Sequence, residues 1–313
     1  MTLFACSLFM IVMLIARPAL CLNSVSNGVK LYAVAVLPSL LPFFFFTKIL
    51  TSLGGAERLA GVGGRPVRWL FNAPPAGAYA LILSLLSGYP VGARVVSDLV
   101  EGGMATREEA KSMMAFASTS GPLFVLGTVG TVILADYKLG AVVLGAHYLG
   151  AILNGVLFRH RGKAERNEAK EGTAVILTAN SPDNILGETA TASVGAVMTA
   201  GIFIVVFNLV ADVVASFFAL GGVRGEGLSG VWSGVIFSFI EMTRGVMTLS
   251  TAGRGGLVVA GIASAVSFGG LSVIMQQSAF LGKHGVTVGR ILVLKATHAV
   301  ITFGIALLLL QML

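Results

Sequence analysis

Side chains able to do chemistry are scarce in this sequence, so those inside apolar stretches stand out. Arg94 and Asp98 lie one helical turn apart, just after Ser87-Gly88-Tyr89-Pro90-Val91-Gly92. An arginine at membrane depth costs about 2.5–3.5 kcal/mol on insertion scales and needs compensation. Two readings are open. Arg94 and Asp98 pair with each other, or the Arg94 guanidinium, beside a half-helix amino terminus, receives an anionic group. Glu241, Thr243 and Arg244 pose the same question, because Glu241 and Arg244 share a helix face. A mutual ion pair fits that spacing, and so does a proton or ion site. Gln276 and Gln277 can bond a polar substrate or bridge helices. The hydroxyls of Ser118, Thr119 and Ser120 can bond a ligand or back-bond to their own helix. His147 and His298 are lone histidines in apolar spans, read as packing or bridging residues rather than proton carriers.

None of these sets reads as an enzyme. Gly-Tyr-Pro-Val-Gly lacks the Gly-Lys-Ser/Thr ending of a phosphate loop. No serine, histidine and acid fall in a context that supports a triad. The two cysteines, Cys6 and Cys21, would be about 22 Å apart on a helix, too far for a disulfide, and no Cys/His spacing suggests a metal site. No catalytic residue, cofactor or metal is therefore expected.

The elements that carry these residues belong to a membrane. The chain is 56% hydrophobic and 11% charged, with mean hydropathy +0.90; a soluble domain carries roughly 25% charge. Forty glycines and the absence of alternating-polarity strands favour helices packed through small residues over a barrel. The net charge of +7 fits basic loops under the positive-inside rule. Basic patches with interleaved aromatics are missing, so nucleic acid is not an expected partner. The fold class is an all-α, polytopic transmembrane helical bundle with broken or re-entrant helices in two repeat halves.

In chain order, residues 1–28 read as an N-terminal transmembrane helix. A signal peptide is the alternative, but a basic start is missing. Residues 29–158 form a first repeat half. Its opening span carries Pro38, Pro42 and the run Phe43–Phe46, read as packed or lipid-facing rather than as a substrate surface. Gly54–Pro75 reads as a loop. The apolar run ending at Ser87 is broken by Gly88–Gly92, because proline lacks an amide hydrogen and glycine loosens the backbone. Thr106 and Glu109 fit a capping box, and Ser120-Gly121-Pro122 breaks the next span. Residues 159–190 form a charged linker, cytoplasmic by its Lys/Arg content, with a helix start at Ser181-Pro182-Asp183. Residues 191–313 form the second half. Val231–Ser250 reads as a span holding Glu241, and the span Leu257–Leu281 breaks at Ser267–Gly270.

The halves resemble each other at an offset of about 180 residues, pairing the segment from Ser87 with the segment from Ser267. Broken helices in corresponding positions point to a transporter binding site, and an inverted repeat is favoured. The expected lining is Gly88, Tyr89, Pro90, Gly92, Arg94, Ser120, Gly121, Pro122, Glu241, Thr243, Gly269, Gly270 and Gln276. Arg94 is the anion partner, and Glu241, Thr243 and Gln276 complete the polar wall. The expected partners are a small anionic substrate and the lipid bilayer; homo-oligomerisation stays open.

Six motifs, taken in order, carry a resemblance: LPSLLPFF at Leu37–Phe44, SGYPVGAR at Ser87–Arg94, SGPLFVLGTVG at Ser120–Gly130, HYLGAILNGVLFR at His147–Arg159, EMTRG at Glu241–Gly245 and FGGLSVIMQQ at Phe268–Gln277. Together they resemble the YlbJ/SpoVV family of sporulation integral membrane proteins, within the nucleoside-recognition (Gate) domain group. That resemblance implies a multi-pass protein of the membrane around the developing spore, in the outer forespore membrane. It also implies export of dipicolinic acid from the mother cell toward the forespore. The runner-up it leaves is a nucleoside or other small-solute permease. A non-transporting scaffold in spore-envelope assembly is the alternative from another class.

Overall fold

The computed structural model describes residues 2–160, 182–220 and 228–313. These residues are mostly helical, without strands, in keeping with the all-α membrane bundle expected from composition. Most of the expected charged linker, the helix start at Ser181 and most of the loop around Gly221–Gly230 lie outside the described residues.

The chain opens with α1 (Thr2–Ala16) and α2 (Pro18–Leu31), bent by 109° at Arg17-Pro18. α2 continues through a π-helical turn (Tyr32–Val36) into α3 (Leu37–Ser52). The boundary expected at residues 28 and 29 therefore falls inside a continuous helix. Pro38 follows the π-helical turn directly, and its missing N–H removes one hydrogen bond from the continuous helix there. Next come α4 (Gly55–Phe71), α5 (Gly77–Ser87), α6 (Val91–Glu101) and α7 (Arg107–Met113). A π-helix (Leu123–Ile133) and α8 (Tyr137–Leu157) complete the first half. The second half holds α9 (Pro182–Leu220), α10 (Leu228–Ile240), α11 (Met242–Ser250), α12 (Gly256–Phe268), α13 (Gly270–Leu281) and α14 (Val288–Leu310).

Among the described residues, four helical stretches are long and apolar enough to cross a membrane: α8, most of α9, the α12–α13 run and α14; the bent α1–α2 pair makes up to a fifth. The protein is a multi-pass integral membrane protein.

The expected loop at Gly54–Pro75 is the helix α4. Ala56, Val67 and Phe71 are buried on one face, while Arg58, Arg65, Arg68 and Trp69 face outward. This two-faced pattern suits a helix lying along a membrane surface. The capping box at α7 forms as expected: the Thr106 hydroxyl accepts from Glu109 N at 3.2 Å, and the Glu109 carboxylate accepts from Thr106 N at 2.8 Å. Thr106→Ala is expected to lower stability by about 1 kcal/mol, read as a small fall in thermal unfolding temperature in detergent.

Two pairs of helices are re-entrant hairpins. The α10–α11 segment, expected as one span, doubles back at Glu241: Gly234 lies against Leu249, and Gly245 against Ser238. A side chain on either glycine would overlap the opposite limb, so these small residues permit the close approach. The α5–α6 segment turns back at Gly88–Pro90, which brings Gly92 against Ser84. By element order the halves then correspond as hairpin, broken span, span: α5–α6, α7 with the π-helix, and α8 match α10–α11, α12–α13 and α14. That register is nearer 150 residues than the expected 180. The shorter interval also matches His147 to His298, which stack with centroids 4.8 Å apart.

Contacts fix how the halves sit. α8 and α14 run antiparallel: Gly145 meets Leu309, Gly150 meets His298 and Thr302, and Asn154 Nδ2 donates to Leu294 O at 3.1 Å. At one end of the bundle, the end of α6 meets the end of α13 through the Glu101–Lys283 ion pair. There too, Arg290 at the start of α14 lies 4.9 Å over the Phe158 ring. At the other end, Gly256 approaches Leu310, and Gly230 approaches Thr251. The base of the first hairpin is thus at one end and that of the second at the opposite end, and both tips point inward.

Candidate functional site

Each hairpin tip rests on the helix break of its own half. Gly88 has φ +85°, a conformation that L side chains rarely adopt. A Cβ on Gly121 would lie 2.9 Å from Ser87 O. Only glycine on both sides lets the first tip sit on the break at Ser120–Pro122. The second half repeats the device with Gly270, at φ +76°, whose added Cβ would lie 3.1 Å from Ile240 O and from Met242 N. The two units are then tied together. Tyr89 OH donates to Val266 O at 3.0 Å and contacts Met242 Sδ at 2.7 Å. His147, fully buried, accepts from Ser120 N through Nε2 at 2.7 Å and joins Ser267 Oγ through Nδ1 at 2.7 Å. Because Nε2 accepts, the ring proton belongs on Nδ1, which donates to Ser267. Ser267 in turn donates to Thr302 Oγ1 at 2.9 Å. One histidine on α8 therefore joins both helix breaks, the bridging role expected of it.

Between the tips, the breaks, α3 and α9 lies a partly open cavity of about 110 Å³. It gathers Gly88, Tyr89, Ser120, Gly121, Glu241, Thr243 and Gln276 from the expected lining. Pro90, Gly92, Pro122, Gly269 and Gly270 do not line it. They cap or close the helices behind it: Pro90 starts α6, Pro122 starts the π-helix, and Gly269 starts α13. Half-helices beginning at residues next to the cavity put the positive ends of their dipoles there. Sequence reasoning missed Phe43, Ser87, Met242 and Ser272 in the wall. Of these, Phe43 belongs to the aromatic run expected to be filler; its neighbour Phe44 is indeed buried packing and Phe46 faces outward.

The charged residues are placed differently from the simplest expectation. Glu241 and Arg244 do not pair. The Glu241 carboxylate, 4% exposed, caps α11 by accepting from Thr243 N at 3.1 Å and Arg244 N at 2.9 Å. Arg244 instead forms an ion pair with Asp212 on α9 and lies 4.9 Å over the Phe237 ring. The pair is partly screened, so Asp212→Asn is expected to cost about 1–2 kcal/mol, short of the larger loss for a fully buried pair. A denaturant titration comparing Asp212→Asn with wild type measures it. Arg94 pairs with Asp98 at 3.0 Å, the mutual pairing weighed above, and Lys48 shares the same carboxylate at 3.6 Å. These three line a separate small cleft between α3, α6 and α9, and Arg94 does not line the main cavity.

The described residues contain no cluster of His, Cys, Asp and Glu able to hold a metal. The chain is 27% identical over 219 residues to the sporulation integral membrane protein YlbJ of Bacillus subtilis (strain 168). The match covers 64% of this chain and 53% of YlbJ, so the chain spans about half the length of that curated relative. No family profile matches the chain, and no solved structure matches it. The similarity to YlbJ agrees with the motif resemblance, which placed its signals at the hairpin tip Ser87–Arg94, at Glu241–Gly245 and at both breaks.

Proposed function

We propose that this chain is a membrane permease acting in sporulation, with a small carboxylate of the dipicolinate class as its solute. The observation that carries this reading is the cavity itself: two hairpin tips, entering from opposite ends, and two helix breaks meet at one partly open, mostly apolar space with a few fixed polar groups. Such a space fits a planar ring between Phe43, Tyr89 and Met242, and leaves Thr243, Ser272 and Gln276 for its polar edge. Half-helix amino termini beside the cavity favour a negatively charged group. The sporulation context comes from YlbJ, a sporulation integral membrane protein, and dipicolinate comes from the family resemblance.

Glu241 in the wall favours a second reading, a neutral solute with hydrogen-bond donors, such as a nucleoside. Uptake of labelled dipicolinate and of a labelled nucleoside into liposomes holding the purified protein separates the two. Dipicolinate flux is expected, falling at least tenfold in Gln276→Leu at equal reconstituted abundance. Nucleoside flux alone would establish the second reading. Absence of both fluxes would leave the scaffold.

A further inference from the structure

Lys295 on α14 is buried to 1% exposure, and no carboxylate among the described residues lies within ion-pair distance of it. Its ammonium makes one hydrogen bond, to Ser118 O at 3.1 Å, and sits 4.9 Å from the centroid of the Tyr89 ring. An ammonium has three donors, and two find no partner among the described residues. Beside it, Gln277 donates to Ser118 Oγ at 2.6 Å while its own buried Oε1 is unpartnered. A lone cation in the interior of a membrane protein is expensive to keep, and such residues face a pathway or a ligand. Tyr89 touches both sides, since its ring covers Lys295 and also forms part of the cavity wall. The break at Ser118–Ser120 does the same, through Ser118 O to Lys295 and through Ser120 to the cavity. The nearby rings of His147 and His298 are already committed, one to Ser120 and Ser267 and the other to His147 O at 2.9 Å.

We propose that Lys295 is the ionic partner of the carboxylate bound in the main cavity, reached when the Tyr89 tip shifts aside. The role expected of Arg94 thus passes to a residue on the last helix. This rests on the permease reading only for the identity of the solute, because the site would bind any carboxylate that fits. Tyr89 acts as a cover, holding the cation over its ring face until an anion replaces that contact.

The test is thermal unfolding of the purified full chain in detergent, without ligand and with dipicolinate, phthalate or benzoate, for wild type, Lys295→Met and Lys295→Arg. Without ligand, Lys295→Met is expected to unfold at the wild-type temperature or above it, because a thioether fills the space of a buried cation that has no counter-ion. With ligand, dipicolinate is expected to raise the wild-type midpoint, to leave Lys295→Met unmoved, and to raise Lys295→Arg partly. A Lys295→Met protein that unfolds well below wild type would overturn the proposal, since the lysine would then be a structural anchor. So would an equal shift in wild type and Lys295→Met, which would keep the carboxylate reading and remove Lys295 from it. If phthalate or benzoate shifts wild type alone while dipicolinate does not, Lys295 stands and the dipicolinate reading falls. If none of the three shifts wild type, both fall.

Discussion

Gly92→Ala is expected to destabilise the protein by at least about 3 kcal/mol, toward or beyond the upper end of ordinary overpacking. Its added Cβ would overlap the carbonyl oxygen of Ala117 and would also lie 2.8 Å from Ser84 Oγ and 2.9 Å from Ser84 Cβ. Ala117 O is backbone in a fully buried segment, so it cannot rotate away as a side-chain tip could. Ser84 is equally fixed, since its hydroxyl accepts from Thr119 N at 3.0 Å and bonds Thr119 Oγ1 at 2.8 Å. The alanine would push the first hairpin off the first break, and the cavity wall at Gly88 and Gly121 would part. Gly61→Ala is the control, because nothing lies within 4 Å of its added Cβ, and a helical alanine there is neutral or slightly stabilising. Equal unfolding midpoints for the two variants would show that the hairpin tolerates the strain, and the close approach would lose its importance.

His147→Leu is expected to cost about 2–4 kcal/mol. The leucine fills most of the space but removes an acceptor from Ser120 N and a donor to Ser267 Oγ. A buried polar group left without a partner costs about 1–3 kcal/mol. The loss would reach both halves at once, because Ser120 belongs to the first break and Ser267 to the second. Hydrogen exchange can check this: protection should fall at Ser120 and near Ser267 together. Loss at only one of them would mean that the histidine supports a single break. His298→Leu should be milder, since it gives up one bond, to His147 O.

Much of this arrangement was legible in the sequence, for reasons that can be stated residue by residue. The breaks at Gly88–Gly92, Ser120–Pro122 and Ser267–Gly270 were visible because proline and paired glycines interrupt apolar runs. The Thr106 capping box was visible because both partners lie within four residues. The hairpin turn at Glu241 was not, because neither glycine nor proline marks it; the carboxylate makes the turn by capping α11. The helix α4 was hidden by Gly61, Gly63, Gly64 and Pro66, which read as a loop until burial of Val67 and Phe71 against the bundle offsets their poor propensity. Arg244 looked like a partner for Glu241 because sequence ranks near neighbours first; its partner Asp212 is on another helix. The repeat register slipped because each half contains two breaks, and the hairpin tip of the first was matched to the span break of the second. Lys295 is visible as a cation within the last span, but the sequence gives it no role, since its neighbours within three positions are apolar apart from Thr297 and His298.

The end of α4 touches the end of α8: Asn72 Nδ2 donates to His160 O at 2.7 Å, and His160 N donates to Phe71 O at 3.1 Å. The path between those contacts is therefore expected to make an even number of crossings: one by α8 and one by the shorter, broken α7–π-helix segment, with none from the first hairpin. Continuing the tally, α9 crosses, the second hairpin does not, and α12–α13 and α14 cross once each. Parity then places the end of α14 in the compartment opposite α4. Arg58, Arg65, Arg68 and Arg159 crowd the α4 side, so the positive-inside rule predicts that this side faces the cytoplasm. A reporter fused after Leu313 and one inserted beside Arg159 should report from two different compartments.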